Sequence, residues 1–173
     1  MSASSKPATP AFGFLTIVQQ SELGLVGGYL VLNAGGRPLE FHCTAPVKPN
    51  RAQEILYGAT LKSYLYGEQI GPALVNRGKT PPLIVFTDQL DAAAIRQQIE
   101  VPTVIVAPDE AECRDLLVLK LGSFRAALEN RFSSDQPDVL ERWKSHGQSL
   151  DLTEPFARIR EALEEAQKSA RAA

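Results

Sequence analysis

Residues 81–109 read PPLIVFTDQLDAAAIRQQIEVPTVIVAPD. They hold two compact apolar runs, each bounded by Pro and Asp: PPLIVFTD at 81–88 and VPTVIVAPD at 101–109. Runs this short and rich in β-branched residues read as strands covered on both faces. The intervening QLDAAAIRQQI reads as a helix, with Thr87 or Asp88 as its cap. Strand, helix and strand joined by short links make a parallel crossover.

Upstream, FGFLTIVQQ (12–20), LVGGYLVLNA (25–34) and PLEFHCTAPV (38–47) read as three more strands. The turn NAGGRP joins the second to the third, because Asn33, Gly35 and Gly36 tolerate positive φ. Gly27 and Gly28 allow a bulge or a close backbone approach. In the third strand Leu39, Phe41 and Cys43 alternate with Glu40, His42 and Thr44, so the apolar set is expected to face the core. The first third is thus an antiparallel meander, with strands expected near 13–20, 25–33 and 38–46.

Between the meander and the crossover, Asn50 is a good N-cap for a helix from Arg51. Gly58 and Gly71-Pro72 divide the region into two or three short helical segments. Leu56, Leu61 and Leu65 are expected to face the sheet. Downstream, the Leu117, Leu121, Phe124, Leu128, Phe132 spacing admits either one long helix or a strand at 116–121 followed by a helix from Ser123. The Gly122-Ser123 break favours the second. SSDQPDVLERWKSHG predicts a helix with Pro137 in its first turn. TEPFARIREALEEAQK predicts another, capped by Thr153, with an apolar stripe of Phe156, Ile159, Leu163 and Ala166. Arg160–Glu164 and Glu164–Lys168 are spaced as i, i+4 charge pairs on it.

The expectation is therefore an α/β protein with a mixed sheet, an antiparallel β-meander followed by βαβ, and C-terminal helices. Residues 1–11 read as a disordered leader, 12–150 as a single α/β domain and 151–173 as a C-terminal helix with a frayed end. Over residues 12–109 this element order resembles that of the ribonuclease-H-like fold, also used by actin-like nucleotide-binding domains.

That resemblance implies where acids should stand in a nuclease: in the middle of the first strand, on the first helix and at the end of the fourth strand. The first strand, FLTIVQQ, has no acid, whereas Glu54 and Asp88 fit the other two places. An actin-like phosphate loop is not visible in QQSELGLVGG.

The 173 residues carry 44% hydrophobic and 22% charged residues and a net charge of −2. Such a chain buries a sizeable core and has no global attraction to nucleic acid or an anionic membrane. No apolar run approaches the roughly 20 residues that span a bilayer. Cys43 and Cys113 have no metal-ligand spacing and suit a reduced, cytoplasmic setting. Cys43, on an apolar strand face, is expected to be a small buried hydrophobe.

Glu40 and His42 share one strand face and are weak catalytic candidates beside Glu54 and Asp88. Lys48, Arg51, Tyr57, Tyr64 and Tyr66 form the nearest approach to a basic-aromatic binding surface. No hydrolase, zinc or dithiol motif is present, and neither a cofactor nor a metal is expected. The reading favoured by this pattern is a cytoplasmic protein-interaction or scaffold module, with a protein partner or self-association, nucleic acid disfavoured and no membrane contact. The alternative is a degenerate or rearranged ribonuclease-H-like metal-dependent nuclease or a nucleotide-binding protein.

Overall fold

The computed structural model describes residues 9–172. Seven strands form one mixed sheet: β1 (Ala11–Gln20), β2 (Gly24–Asn33), β3 (Pro38–Cys43), β4 (Val85–Thr87), β5 (Thr103–Val106), β6 (Leu116–Leu121) and β7 (Phe124–Glu129). Their spatial order is β3-β2-β1-β4-β5-β7-β6. β1, β2 and β3 pair antiparallel, β1–β4 and β4–β5 pair parallel, and β7 runs antiparallel to both β5 and β6. The expected meander, the parallel pairing of the two apolar runs and the ribonuclease-H-like order of the first five strands are all present. The leader expected at 1–11 falls mostly outside the described residues, and β1 already begins at Ala11.

Side chains of β1 alternate between two cores. Phe12 and Phe14 join Phe86, Trp143, Phe156, Ile159 and Leu163 on one face. Leu15 and Ile17 join Tyr29, Leu65, Ile70 and Leu74 on the other. The first face is covered by α4 (Gln136–Arg142) and α5 (Glu154–Ala172). The second is covered by α2 (Leu61–Tyr64) and α3 (Gly71–Val75), with wider π turns at Leu65–Ile70 between them, whereas α1 (Arg51–Tyr57) buries no residue. Both faces of the central strands are dry, which is why they read as unbroken apolar runs.

Gly27 and Gly28 serve the close approach and not a bulge. A Cβ at Gly27 would lie 2.5 Å from Ile70 Cγ2, and one at Gly28 would lie 2.4 Å from Ile159 Cγ2, on the opposite face. The pair lets both helical layers settle onto the same point of β2. The bulge in this part of the sheet falls at Val31/Leu32.

Several local expectations are corrected. The 91–97 segment is a 3-10 turn run and not an α-helix, and its Ala92, Ala93 and Ala94 are all buried. Small side chains let this tight run sit against the sheet. The helix expected from Ser123 is β7, because Gly122, at φ +64°, closes a two-residue hairpin pairing Leu121 with Phe124. Asp151, not Thr153, supplies the cap of α5: its Oδ1 accepts from the backbone N–H groups of Thr153 and Glu154. Leu56 is 82% exposed and does not face the sheet, whereas Leu65 is buried. Because β3 is an edge strand, its apolar face is half covered: Leu39 and Phe41 are partly exposed and Cys43 is exposed. Asn50 does cap α1, in a capping box with Gln53.

Candidate functional site

In this sheet the chain leaves β1 first towards β2 and β3 and then returns to β4 and β5 on the other side. The point where it reverses lies between β1 and β4, and ligands of open α/β sheets bind outside the carboxyl ends of strands at such a point. Two groups of side chains occupy this end, one on each face.

On the α5 face, β1 presents Thr16 and the end of β4 presents Asp88. Thr16 Oγ1 donates to Asp88 Oδ1 at 2.8 Å. The other carboxylate oxygen, Oδ2, accepts from Arg160 on α5. The next residue, Gln89, folds its carboxamide against β1: its Oε1 accepts from the Ile17 N–H at 2.9 Å and its Nε2 donates to the Ile17 carbonyl at 2.7 Å. The side chain thereby continues the parallel ladder one step past the end of β4. Asp88 is not a helix cap. The N–H of Gln89 goes to the Thr87 hydroxyl instead.

On the opposite face a cleft of about 520 Å³ opens between the β1–β2 turn and the helices. Gln19, Glu22, Lys48, Glu54 and Lys62 supply its polar lining, and Leu25, Val47, Leu61 and Leu65 its apolar floor. Ser21 also lines it, at a φ of 44°, a left-handed conformation uncommon for a side-chain-bearing residue. Arg51 lies 3.2 Å from Glu54 and offsets its charge. Tyr57 and Tyr64 stack beside the cleft, their ring centroids 4.1 Å apart and their planes 16° off parallel. Hydrogen bonding to Tyr64 holds the Tyr57 hydroxyl above its usual pKa. Tyr66 is buried, with Lys62 Nζ 5.4 Å from its ring centroid, and burial raises its pKa.

The catalytic candidates do not converge. Glu54 belongs to the cleft, on the face of β1 opposite to Asp88. Glu40 and His42 lie 3.1 Å apart on the edge strand β3, and Glu40 also accepts from the backbone N–H groups of Lys79 and Thr80. Those bonds, led by Lys79 N–H, lower Glu40 to about 2. Glu40 is therefore an anchor for the 78–80 loop. Thr44 accepts from Gly27 N–H and completes the edge. Of the surface candidates, Lys48 lines the cleft, Arg51, Tyr57 and Tyr64 flank it, and Tyr66 is packed beneath them. Thr16, Gln89 and Arg160 were not legible as site residues; the only signal was the absence of an acid in the first strand.

A divalent ion at this end of the sheet needs several hard oxygen ligands, with carboxylates from both strands. β1 offers a hydroxyl, both oxygens of Asp88 are engaged within the protein, and Glu54 lies on the other face. Among the described residues no three His, Cys, Asp or Glu side chains gather as a metal site requires. The residues do not fit the ion that a nuclease of this fold uses.

No family model matches the chain, and no curated protein matches it in sequence. Two solved structures resemble it in outline, both of endonuclease V from Ciona intestinalis in complex with DNA containing an inosine followed by a ribo-adenosine. One matches at TM-score 0.39 and 12% identity, covering 57% of this chain and 45% of its own. The other matches at TM-score 0.45 and 11% identity, covering 91% and 87%. The expectation of a protein-interaction scaffold, with a protein partner or self-association and nucleic acid disfavoured, is corrected on this finding: the matching structures are DNA complexes. Likeness of this size carries no chemistry across, so the function is argued from this chain's own residues. Among the described residues no helix is long and apolar enough to cross a membrane.

Proposed function

We propose that this protein binds single-stranded nucleic acid in the cleft at the carboxyl end of β1, with Lys48, Lys62 and Arg51 meeting phosphates and the Tyr57–Tyr64 pair stacking on a base. The observation that carries this reading is the juxtaposition of a stacked, half-exposed tyrosine pair with a cleft of nucleotide size that is lined by Lys48 and Lys62 alongside Glu22 and Glu54. Aromatic faces beside cations are the means by which proteins hold single strands, because every base has a face to stack and every nucleotide a phosphate. Pockets of about 300–1,000 Å³ take ligands of this size. Two free thiols, Cys43 and Cys113, suit a cytoplasmic setting.

Binding of labelled RNA and DNA oligonucleotides, followed by fluorescence anisotropy, tests this. About three phosphate contacts give a log K against log salt slope of about −2 for a single strand. Lys48→Glu with Lys62→Glu flattens that slope to about −0.7. Tyr57→Ala costs about 1–3 kcal/mol without changing the slope, the usual worth of one stacked base. No binding at low salt, or binding that neither change alters, overturns the proposal.

A further inference from the structure

Asp88 directly follows β4, beside Thr16 in the middle of β1, and each of its carboxylate oxygens is already engaged. Oδ1 takes the Thr16 hydroxyl at 2.8 Å and Oδ2 takes the Arg160 guanidinium. Arg160 follows Ile159, which is buried in the core between α5 and the sheet, and Phe156 packs edge-on against Phe14 at 5.6 Å. Packed there, that turn of α5 directs the guanidinium onto the end of β4. Arg160 belongs to the last helix and Asp88 directly follows the fourth strand, so the contact is tertiary.

We infer that Arg160 is the resident cation of this end of the sheet, standing at Asp88 where a divalent ion would otherwise be held, and that Thr16 and Arg160 together close the position to metal. A carboxylate in place of the Thr16 hydroxyl would lie within hydrogen-bond reach of Asp88. Two neighbouring carboxylates demand positive charge. With the guanidinium present, Arg160 bridges both; with it removed, the pair becomes an oxygen site for Mn²⁺ or Mg²⁺. A carboxylate pair and a cation between them are thus two residues away in this chain. The inference goes beyond the nucleic-acid reading and stands or falls independently of it.

Mn²⁺ itself is the probe. The full chain, Thr16→Asp/Arg160→Ala, and the uncharged control Thr16→Asn/Arg160→Ala are titrated with MnCl₂. Melting midpoints and the loss of the free Mn²⁺ electron paramagnetic resonance signal are recorded. The expected result is no specific change for the natural protein or the control. The Asp/Ala variant gains several degrees at millimolar Mn²⁺ and removes about one ion per chain from solution, as a site with few carboxylates would. If that variant fails to fold alone, recovery of its circular dichroism by Mn²⁺ is the supporting outcome. A folded Asp/Ala variant that binds no Mn²⁺, or an unfolded one that Mn²⁺ does not rescue, overturns the inference. So does Mn²⁺ binding by the natural protein that Asp88→Asn abolishes.

Discussion

Replacing Tyr29 by Phe should leave the protein as stable as before or make it more stable. Tyr29 lies in β2, fully buried, and its hydroxyl has no hydrogen-bond partner among the described residues. The ring is enclosed on two sides: a Cβ at Gly13 would lie 2.5 Å from the hydroxyl oxygen, and one at Gly78 would lie 3.5 Å from the ring. A buried polar group left unpaired costs about 1–3 kcal/mol, while the oxygen removed leaves only a small void. The balance favours Phe by about 1 kcal/mol, which is about 2–4 °C in melting midpoint for a chain of this length. Removing the whole ring, as Ala, should cost about 3–5 kcal/mol. The pH dependence adds an independent check. Burial, and secondly the charge of Glu40, hold the Tyr29 hydroxyl well above its ordinary 10.0. A group whose folded pKa is raised stabilises fully below its unfolded value and loses that contribution as pH rises beyond it. Alkaline loss of stability should therefore set in above about pH 10 and be smaller in the Phe variant. Urea unfolding followed by circular dichroism, at neutral pH and across the alkaline range, measures both. A Phe variant that loses more than about 1 kcal/mol at unchanged m would refute the reasoning, because the hydroxyl would then have a partner such as a trapped water.

Acid should act through Glu40. Its folded value of about 2 lies below the ordinary 4.5, so its contribution is present above pH 4.5 and is lost as pH falls towards 2; Glu40→Gln should flatten stability across that window in an acid titration of the unfolding midpoint. Gly27→Ala and Gly28→Ala should each cost about 1–3 kcal/mol by overpacking. Their first contacts, Ile70 and Ile159, lie on opposite faces, so the double variant should lose close to the sum; denaturation of the two single variants and the double decides it, and a loss under a few tenths for either single change would show that a helix moves aside freely.

The central sheet was legible because burial on both faces writes itself into composition: PPLIVFTD and VPTVIVAPD admit few other readings. The region after Asp109 was less so. Leu117, Leu121, Phe124, Leu128 and Phe132 satisfy a helical stripe, yet 116–121 and 124–129 form a hairpin in which Ala126 and Leu128 face one core while Ala127 faces another. Period alone did not separate the two, and the left-handed Gly122 did. Cys43 shows a different gap. Alternation assigns its face correctly, but whether a face is covered depends on whether the strand is an edge, and that is a property of the whole sheet.

The site was least legible where its contacts are tertiary. On its own helix Arg160 has Glu164 in the next turn, and an exposed pair at that spacing contributes about 0.3–0.5 kcal/mol. The structure pairs it instead with Asp88, 72 residues away. The physical reason lies with the carboxylate. Asp88 has a side chain only 20% exposed, so it has lost much of its water and needs a cation or donors more than a solvated glutamate does. Thr16 supplies one donor but no charge. Arg160 supplies the charge, and in doing so joins α5 to the end of β4 beside the middle of β1. The missing first-strand acid and the arginine on the last helix are thus two sides of one arrangement: a hydroxyl at position 16 leaves Asp88 with a single negative charge, which one guanidinium balances.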